Sequence, residues 1–262
     1  MSLNRLELLD EMGLSPQWKL RESTSVRRGD AKAKASVKAT AAVDVAPVEP
    51  AASRLAMVVS PPDADRAQRI AQMDWDELNQ SIAACRACAL CEQRKQAVPG
   101  VGDQNADWLF IGEGPGAEED ERGEPFVGQA GKLLDAMLSA IDLTRGDDVY
   151  IANAVKCRPP GNRTPEAAEV AACLPYLKRQ MALLQPKLIV LLGKAAVHAV
   201  LGVDSSLASL RGKPSTFVNG DQSVPVVVTY HPAYLLRTLP DKSKAWEDLC
   251  RARALMHTLK AD

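Results

Sequence analysis

Four short runs, residues 108–111, 149–152, 188–192 and 224–230, are rich in Val, Leu and Ile and apolar on both faces. Between them lie stretches of helical periodicity, at about 129–141, 165–184 and 194–201, with a last one at about 242–259. Strands that are apolar on both sides must be covered on both sides, and strand–helix alternation makes their pairing parallel. The expected fold class is therefore α/β, a three-layer α/β/α sandwich around a central, mostly parallel four-stranded sheet. Of the 262 residues 46% are hydrophobic but only 4% aromatic, so the core must be built from Ala, Val and Leu more than from rings.

The apolar pattern does not extend over the whole chain. No Phe, Tyr or Trp occurs between Trp18 and Trp75, and residues 22–63 are dominated by Ala, Pro, Ser and Lys. Such a segment buries too little to offset its ordering entropy and reads as a disordered linker. Ahead of it, in residues 1–21, Leu3, Leu6, Leu8, Leu9 and Met12 put an apolar face on a short helix that Gly13 ends, the pattern of a docking segment. Residues 64–262 form the expected main domain, opened by a helix from Ala64 to about Cys85.

Charge and hydropathy exclude some functions. Lys plus Arg number 32 against 33 Asp plus Glu, a net charge of −1, so bulk charge does not hold this chain on nucleic acid or an anionic membrane. No run of 18 apolar residues occurs, and the acidic N-terminus does not fit a signal peptide. A cytoplasmic protein is expected.

Ligands of open α/β sheets sit beyond the carboxyl ends of the strands, and three of those ends carry polar motifs. Gly112-Glu113-Gly114-Pro115-Gly116 follows the first strand, with Glu118, Glu119 and Asp120 and then Pro125-Phe126-Val127-Gly128 close behind. Asn153 follows the second strand. His231-Pro232-Ala233-Tyr234-Leu235-Leu236-Arg237 follows the fourth. The glycine spacing does not match a dinucleotide fingerprint. A carboxylate, an amide, an imidazole and a ring at one sheet edge nevertheless describe a pocket.

Six cysteines form a second pattern: Cys85 and Cys88 two residues apart, then Cys157 and Cys173, with Cys91 and Cys250 left over. In a cytoplasmic chain such cysteines suit a metal or reactive thiols more than a disulfide framework. Spacing alone leaves zinc and an iron–sulfur cluster both open.

The run from Cys85 to Leu259 resembles the family 4, iron–sulfur uracil-DNA glycosylases of the uracil-DNA glycosylase superfamily. The likeness rests on Cys85-x2-Cys88-x-Leu90 with Arg94 and Gly100, on GEGPG at 112–116, GEPFVGQAGKLL at 123–134, YIANAVKCRPP at 150–160, Cys173, LLG at 191–193 and HPAYLLR at 231–237. It implies excision of uracil from DNA to leave an abasic site, the opening step of base excision repair, with the target base flipped into the pocket. By the same resemblance Phe126 stacks on uracil, and the Asn153 amide pairs with its O4 and N3–H edge. Gly114 lines the base site, and Glu119 bars the 5-methyl of thymine. His231 bonds the departing uracil anion, and Glu113 stands near the attacking water. Tyr234, Leu235, Leu236 and Arg237 form a loop that presses into the minor groove. Cys85, Cys88, Cys157 and Cys173 match the four ligands of a [4Fe–4S] cluster, with Cys91 outside the set.

The N-terminal segment lies outside this likeness. Residues 6–21 look like the opening peptide of the psi subunit of the bacterial replicase, which implies docking on the chi subunit of the clamp loader. Two other classes compete with an enzyme. A catalytically silent DNA-binding or replisome adaptor has no need to keep Glu113, Phe126, Asn153 and His231 together, and an electron-transfer protein has no need of the pocket motifs.

Overall fold

The computed structural model describes residues 61–219 and 222–261. The expected docking segment 1–21 and nearly all of the expected linker 22–63 lie outside the described residues. Helix α1 spans Pro61–Ile70 and α2 spans Trp75–Ala83. The single helix expected from 64 to 85 is therefore two. Asp74 starts the second: its Oδ1 accepts from the Glu77 N–H at 2.9 Å, and the Glu77 carboxylate accepts from the Asp74 N–H at 3.1 Å. That reciprocal cap is written in the sequence as Asp-x-x-Glu.

The strands are β1 (Val101–Gly102), β2 (Trp108–Gly112), β3 (Val149–Asn153), β4 (Leu188–Leu192), β5 (Ser215–Asn219) and β6 (Gln222–Thr229). They form one six-stranded sheet in the order β1-β3-β2-β4-β6-β5, not the four-stranded sheet expected. The inner four, β3, β2, β4 and β6, are the four expected strands, and they pair parallel. β1 and β5 add antiparallel edges. A two-residue strand ending in glycine carries no periodicity, and β5 earns its place only by pairing with β6.

Between the strands run α3 (Ala117–Arg122), α4 (Gln129–Ser139), α5 (Ala167–Leu184), α6 (Lys194–Leu201) and α7 (Leu207–Leu210), followed by α8 (Pro232–Leu235) and α9 (Lys242–Ala261). Pro165, expected in the first turn of α5, precedes its N-cap Glu166. The cores divide by strand parity. Leu109, Ile111, Tyr150, Ala152, Ile189 and Leu191 face one cluster with α1, α2, α5 and α6. Phe110, Val149, Ile151, Val190 and Leu192 face the other with α4, α8 and α9. Alternate side chains of a strand point to opposite faces, so two-sided burial yields the three layers. Truncating a residue such as Leu134 or Leu177, both fully buried, costs about 2–5 kcal/mol. Among the described residues no helix is long and apolar enough to cross a membrane.

Register sets the site. Gly112 lies opposite Asn153, and Leu192 opposite Thr229, two residues before His231. Three strand ends thereby deliver their polar motifs to one edge.

Candidate functional site

At that edge lies a cleft of about 820 Å³, lined by Glu113, Gly114, Glu119, Phe126, Asn153, His231, Tyr234 and Arg237 among others, within the size range of small-molecule sites. Asn153 is buried, and among the described residues its Oδ1 has no hydrogen-bond partner. An unpaired buried acceptor costs about 1–3 kcal/mol, which a ligand N–H can recover. A Cβ at Gly112 would stand 2.5 Å from that oxygen and 2.5 Å from Phe126 Cζ. Only glycine lets the amide and the ring approach each other there.

Phe126 has a left-handed backbone, φ 57°, a conformation that costs a bulky residue energy unless its surroundings impose it. Two charged side chains do so. Glu119 accepts from the Val127 and Gly128 N–H groups, each at 3.0 Å, and from Gly116 N–H at 3.0 Å. Arg145 donates to the carbonyls of Pro125 and Phe126, each at 2.8 Å, and is itself held by Asp135 at 2.8 and 3.0 Å. A Cβ at Gly131 would overlap the Phe126 carbonyl. Sequence reasoning found Phe126 and Glu119 but missed Arg145, Asp135 and Gly131, which make no strand-end motif and act through a loop fold.

His231 caps α8: its Nδ1 accepts from the Ala233 N–H at 3.1 Å. That bond leaves the ring proton on Nε2 in the neutral form. Most of the ring is enclosed, and burial, aided by the Arg237 charge against an opposing pull from Glu119, brings its pKa down to about 4. The imidazole is thus a neutral donor at physiological pH. Its ring stands 5.4 Å from that of Phe126, inclined to it by 29°. Burial raises the Glu113 carboxyl above its usual range, against the Thr164 hydroxyl and the Arg237 charge.

The loop after β6 divides. The Tyr234 hydroxyl donates to Asp241 at 2.6 Å, and its ring stacks 5.0 Å from Tyr230. Leu236 is 41% exposed, but Leu235 is 1% exposed and packs in the core with α4 and α9. Leu235, expected to contact DNA, turns its side chain inward on the short helix α8, whereas Tyr234 is half-buried and Leu236 and Arg237 are exposed.

The cysteines converge away from the cleft. Cys85 follows α2, Cys88 precedes a turn at 89–92, Cys157 follows β3 and Cys173 lies on α5; these four and Cys91 line one small cavity. Cys250 is exposed, and all six are free thiols. Arg94 donates to Cys157 Sγ at 2.8 Å, Arg66 to Cys85 Sγ at 3.6 Å and the Lys156 backbone N–H to Cys173 Sγ at 3.3 Å. Burial pushes the Cys173 thiol up to about 12. Among the described residues no three His, Cys, Asp or Glu side chains are gathered about a single ion position.

Residues 99–250 match the model of the uracil DNA glycosylase superfamily. The chain is 42% identical to the type-4 uracil-DNA glycosylase of Pyrobaculum aerophilum over 68% of its length and 92% of the relative's. It is 42% identical to that of Archaeoglobus fulgidus, over 62% and 82% of the two chains. With that of Thermotoga maritima it shares 40% identity over 68% and 93%. A likeness that spans nearly all of these relatives, with the strand-end motifs folded into one cleft, places the chain among the type-4 uracil-DNA glycosylases of the uracil-DNA glycosylase superfamily.

Proposed function

We infer that the chain hydrolyses the N-glycosidic bond of uracil in DNA, leaving an abasic site and opening base excision repair. The observation that carries this reading is the buried, unpartnered Asn153 Oδ1 beside Phe126. An amide both accepts and donates, so Asn153 takes the N3–H of uracil on Oδ1 and gives Nδ2–H to O4. Cytosine presents the opposite pattern and leaves that amide unpaired. Phe126 supplies the stacking face, worth about 1–3 kcal/mol per base, and Gly114 leaves room at the base site.

As the glycosidic bond breaks, negative charge gathers on uracil O2, and the neutral Nε2–H of His231 donates to it. Donors aimed at developing charge stabilise the transition state, and such terms are commonly the largest in catalysis. Glu113 orients the attacking water and offsets positive charge on the sugar. Glu119 forms the wall against the thymine methyl, fixed in place by the three N–H groups it accepts. Tyr234, Leu236 and Arg237 contact the DNA around the flipped nucleotide.

Cys85, Cys88, Cys157 and Cys173 fit a [4Fe–4S] cluster. The donor set is all thiolate, and three of its sulfurs already accept N–H groups, as cluster sulfurs do. Among the described residues no three of these side chains gather about a single ion position, which suits a multi-iron cluster better than one zinc ion. When bound, the cluster supplies a structural tie between α2, α5 and the loop that follows Asn153.

Residues 1–21, outside the described residues, are a proposed tether to the chi subunit of the replicase clamp loader, on their sequence pattern alone. Purified chi should be retained by the full chain and released on deletion of those residues; no retention removes the tether. Activity is tested by uracil release from a U:G oligonucleotide by anaerobically purified protein. Wild type should excise, and Asn153→Ala should lose at least about 100-fold in kcat/KM. A wild-type protein that holds iron and releases no uracil overturns the reading.

A further inference from the structure

Between the cleft and the cysteines lies a side chain that neither role absorbs. Lys156 is 1% exposed, and among the described residues it forms no ion pair with a carboxylate. Its Nζ donates to the Asn153 carbonyl at 2.9 Å and to Gln180 Oε1 at 2.6 Å. Its backbone N–H donates to Cys173 Sγ at 3.3 Å, and its carbonyl accepts from Val98 N–H at 2.8 Å. Gln180 is in turn anchored by donating to the Pro99 carbonyl at 2.8 Å. A buried ammonium is expensive to keep, and a methionine of similar length would fill the same space without that cost. A lysine buried here therefore points to a task that a hydrophobe cannot perform, namely donating to the Asn153 and Gln180 oxygens.

We propose that Lys156 is a positioning residue that ties the base-reading Asn153 to the cysteine site, holding the Asn153 backbone from behind so that its amide meets uracil in one orientation. The inference rests on the reading of Asn153 as the base reader. The geometry separates the two ends of the tie. The contact to Cys173 is made by the main chain and survives any substitution of the side chain. The contact to Asn153 is made by the ammonium alone. Lys156→Met therefore cuts the link to the pocket and leaves the link to the cysteines in place.

The test uses full-length, anaerobically purified holoprotein. Lys156→Met should keep the iron content of wild type, raise the inhibition constant of free uracil about tenfold and lower kcat/KM by a similar factor. In an Asn153→Ala background the same substitution should change kcat/KM less than about twofold, because it acts through the residue already removed. Amide hydrogen exchange at Ala154 and Val155, whose N–H groups bond the carbonyls of Gly112 and Glu113, should quicken in Lys156→Met whether or not the protein excises uracil. If Lys156→Met does not fold, Gln180→Met, which frees the far anchor, should show the same pattern with smaller amplitude. Full additivity with Asn153→Ala, or unchanged uracil inhibition together with unchanged exchange, overturns the tie. Absence of uracil release in wild type overturns instead the reading of the pocket, and the exchange rates still decide the tie.

Discussion

The cleft and the cysteine cavity use hydrogen bonds in opposite ways. In the cleft Asn153 Oδ1 is left without a partner, and the His231 ring proton is directed away from the helix that its other nitrogen caps. Around the cysteines three of the four sulfurs are already served, by Arg94, Arg66 and the Lys156 N–H. Unpaired groups are a cost the folded protein carries until a ligand arrives, whereas paired groups hold what is there. On the proposed reading, the contrast separates a site built for turnover from one built to hold a cluster.

The largest break of this contrast is expected at the cysteines. Structural metal groups contribute binding energy on the order of 10 kcal/mol that is also folding energy. Cys157→Ala should therefore lose iron and cooperative unfolding together, read by metal analysis and calorimetry. A variant that loses iron but melts like wild type would make the cavity incidental to folding.

The cleft should behave in the opposite way. His231→Gln should lower kcat by about 100- to 1,000-fold while leaving the melting temperature at neutral pH nearly unchanged. The same variant probes the acid side. The folded-state pKa of His231 lies at about 4 against an ordinary 6.5, so the unfolded chain binds the extra proton first as pH falls. Wild type should lose stability progressively from about pH 6.5 to pH 4. His231→Gln should be less sensitive across that window, in denaturant titrations run at several pH values. Equal acid sensitivity in the two proteins would mean that the imidazole is not buried as described.

A smaller effect tests the support of the pocket. Arg145→Met removes one of the two charged clamps on the left-handed Phe126, which stores about 1–3 kcal/mol of strain. The expected loss is about tenfold in kcat/KM, with Asp135→Ala giving less, since Asp135 only orients Arg145. A wild-type rate in Arg145→Met would show that Glu119 and the fit at Gly131 hold the turn unaided.

Much of this arrangement is legible in the chain. The four inner strands announce themselves by apolar runs, and the polar residues just beyond them name the edge of the sheet where the cleft forms. Asn153 and His231 are legible in this way, and Phe126 lies in the loop some way behind the first of these ends. The edge strands were not, because Val101–Gly102 is too short to show alternation and Ser215–Asn219 is a strand by virtue of its partner. The break between α1 and α2 is legible as Asp74-x-x-Glu77, although apolar periodicity alone runs the helix on to Cys85. Leu235 and Leu236 are identical in kind, and only the path of α8 sends one to the core and the other to solvent.

By itself the sequence determined the layered α/β plan, the chemistry offered at each strand end and the four thiols, because strand alternation and residue type are local properties. Tertiary structure alone decided that Glu119 spends both its oxygens on backbone N–H groups, that Arg145 clamps Phe126 from 19 residues away and that Lys156 lies buried between two sites. Each of those outcomes depends on which polar groups long-range packing leaves within hydrogen-bond reach. A lysine in a local pattern looks like a surface residue until the sheet and α5 close over it.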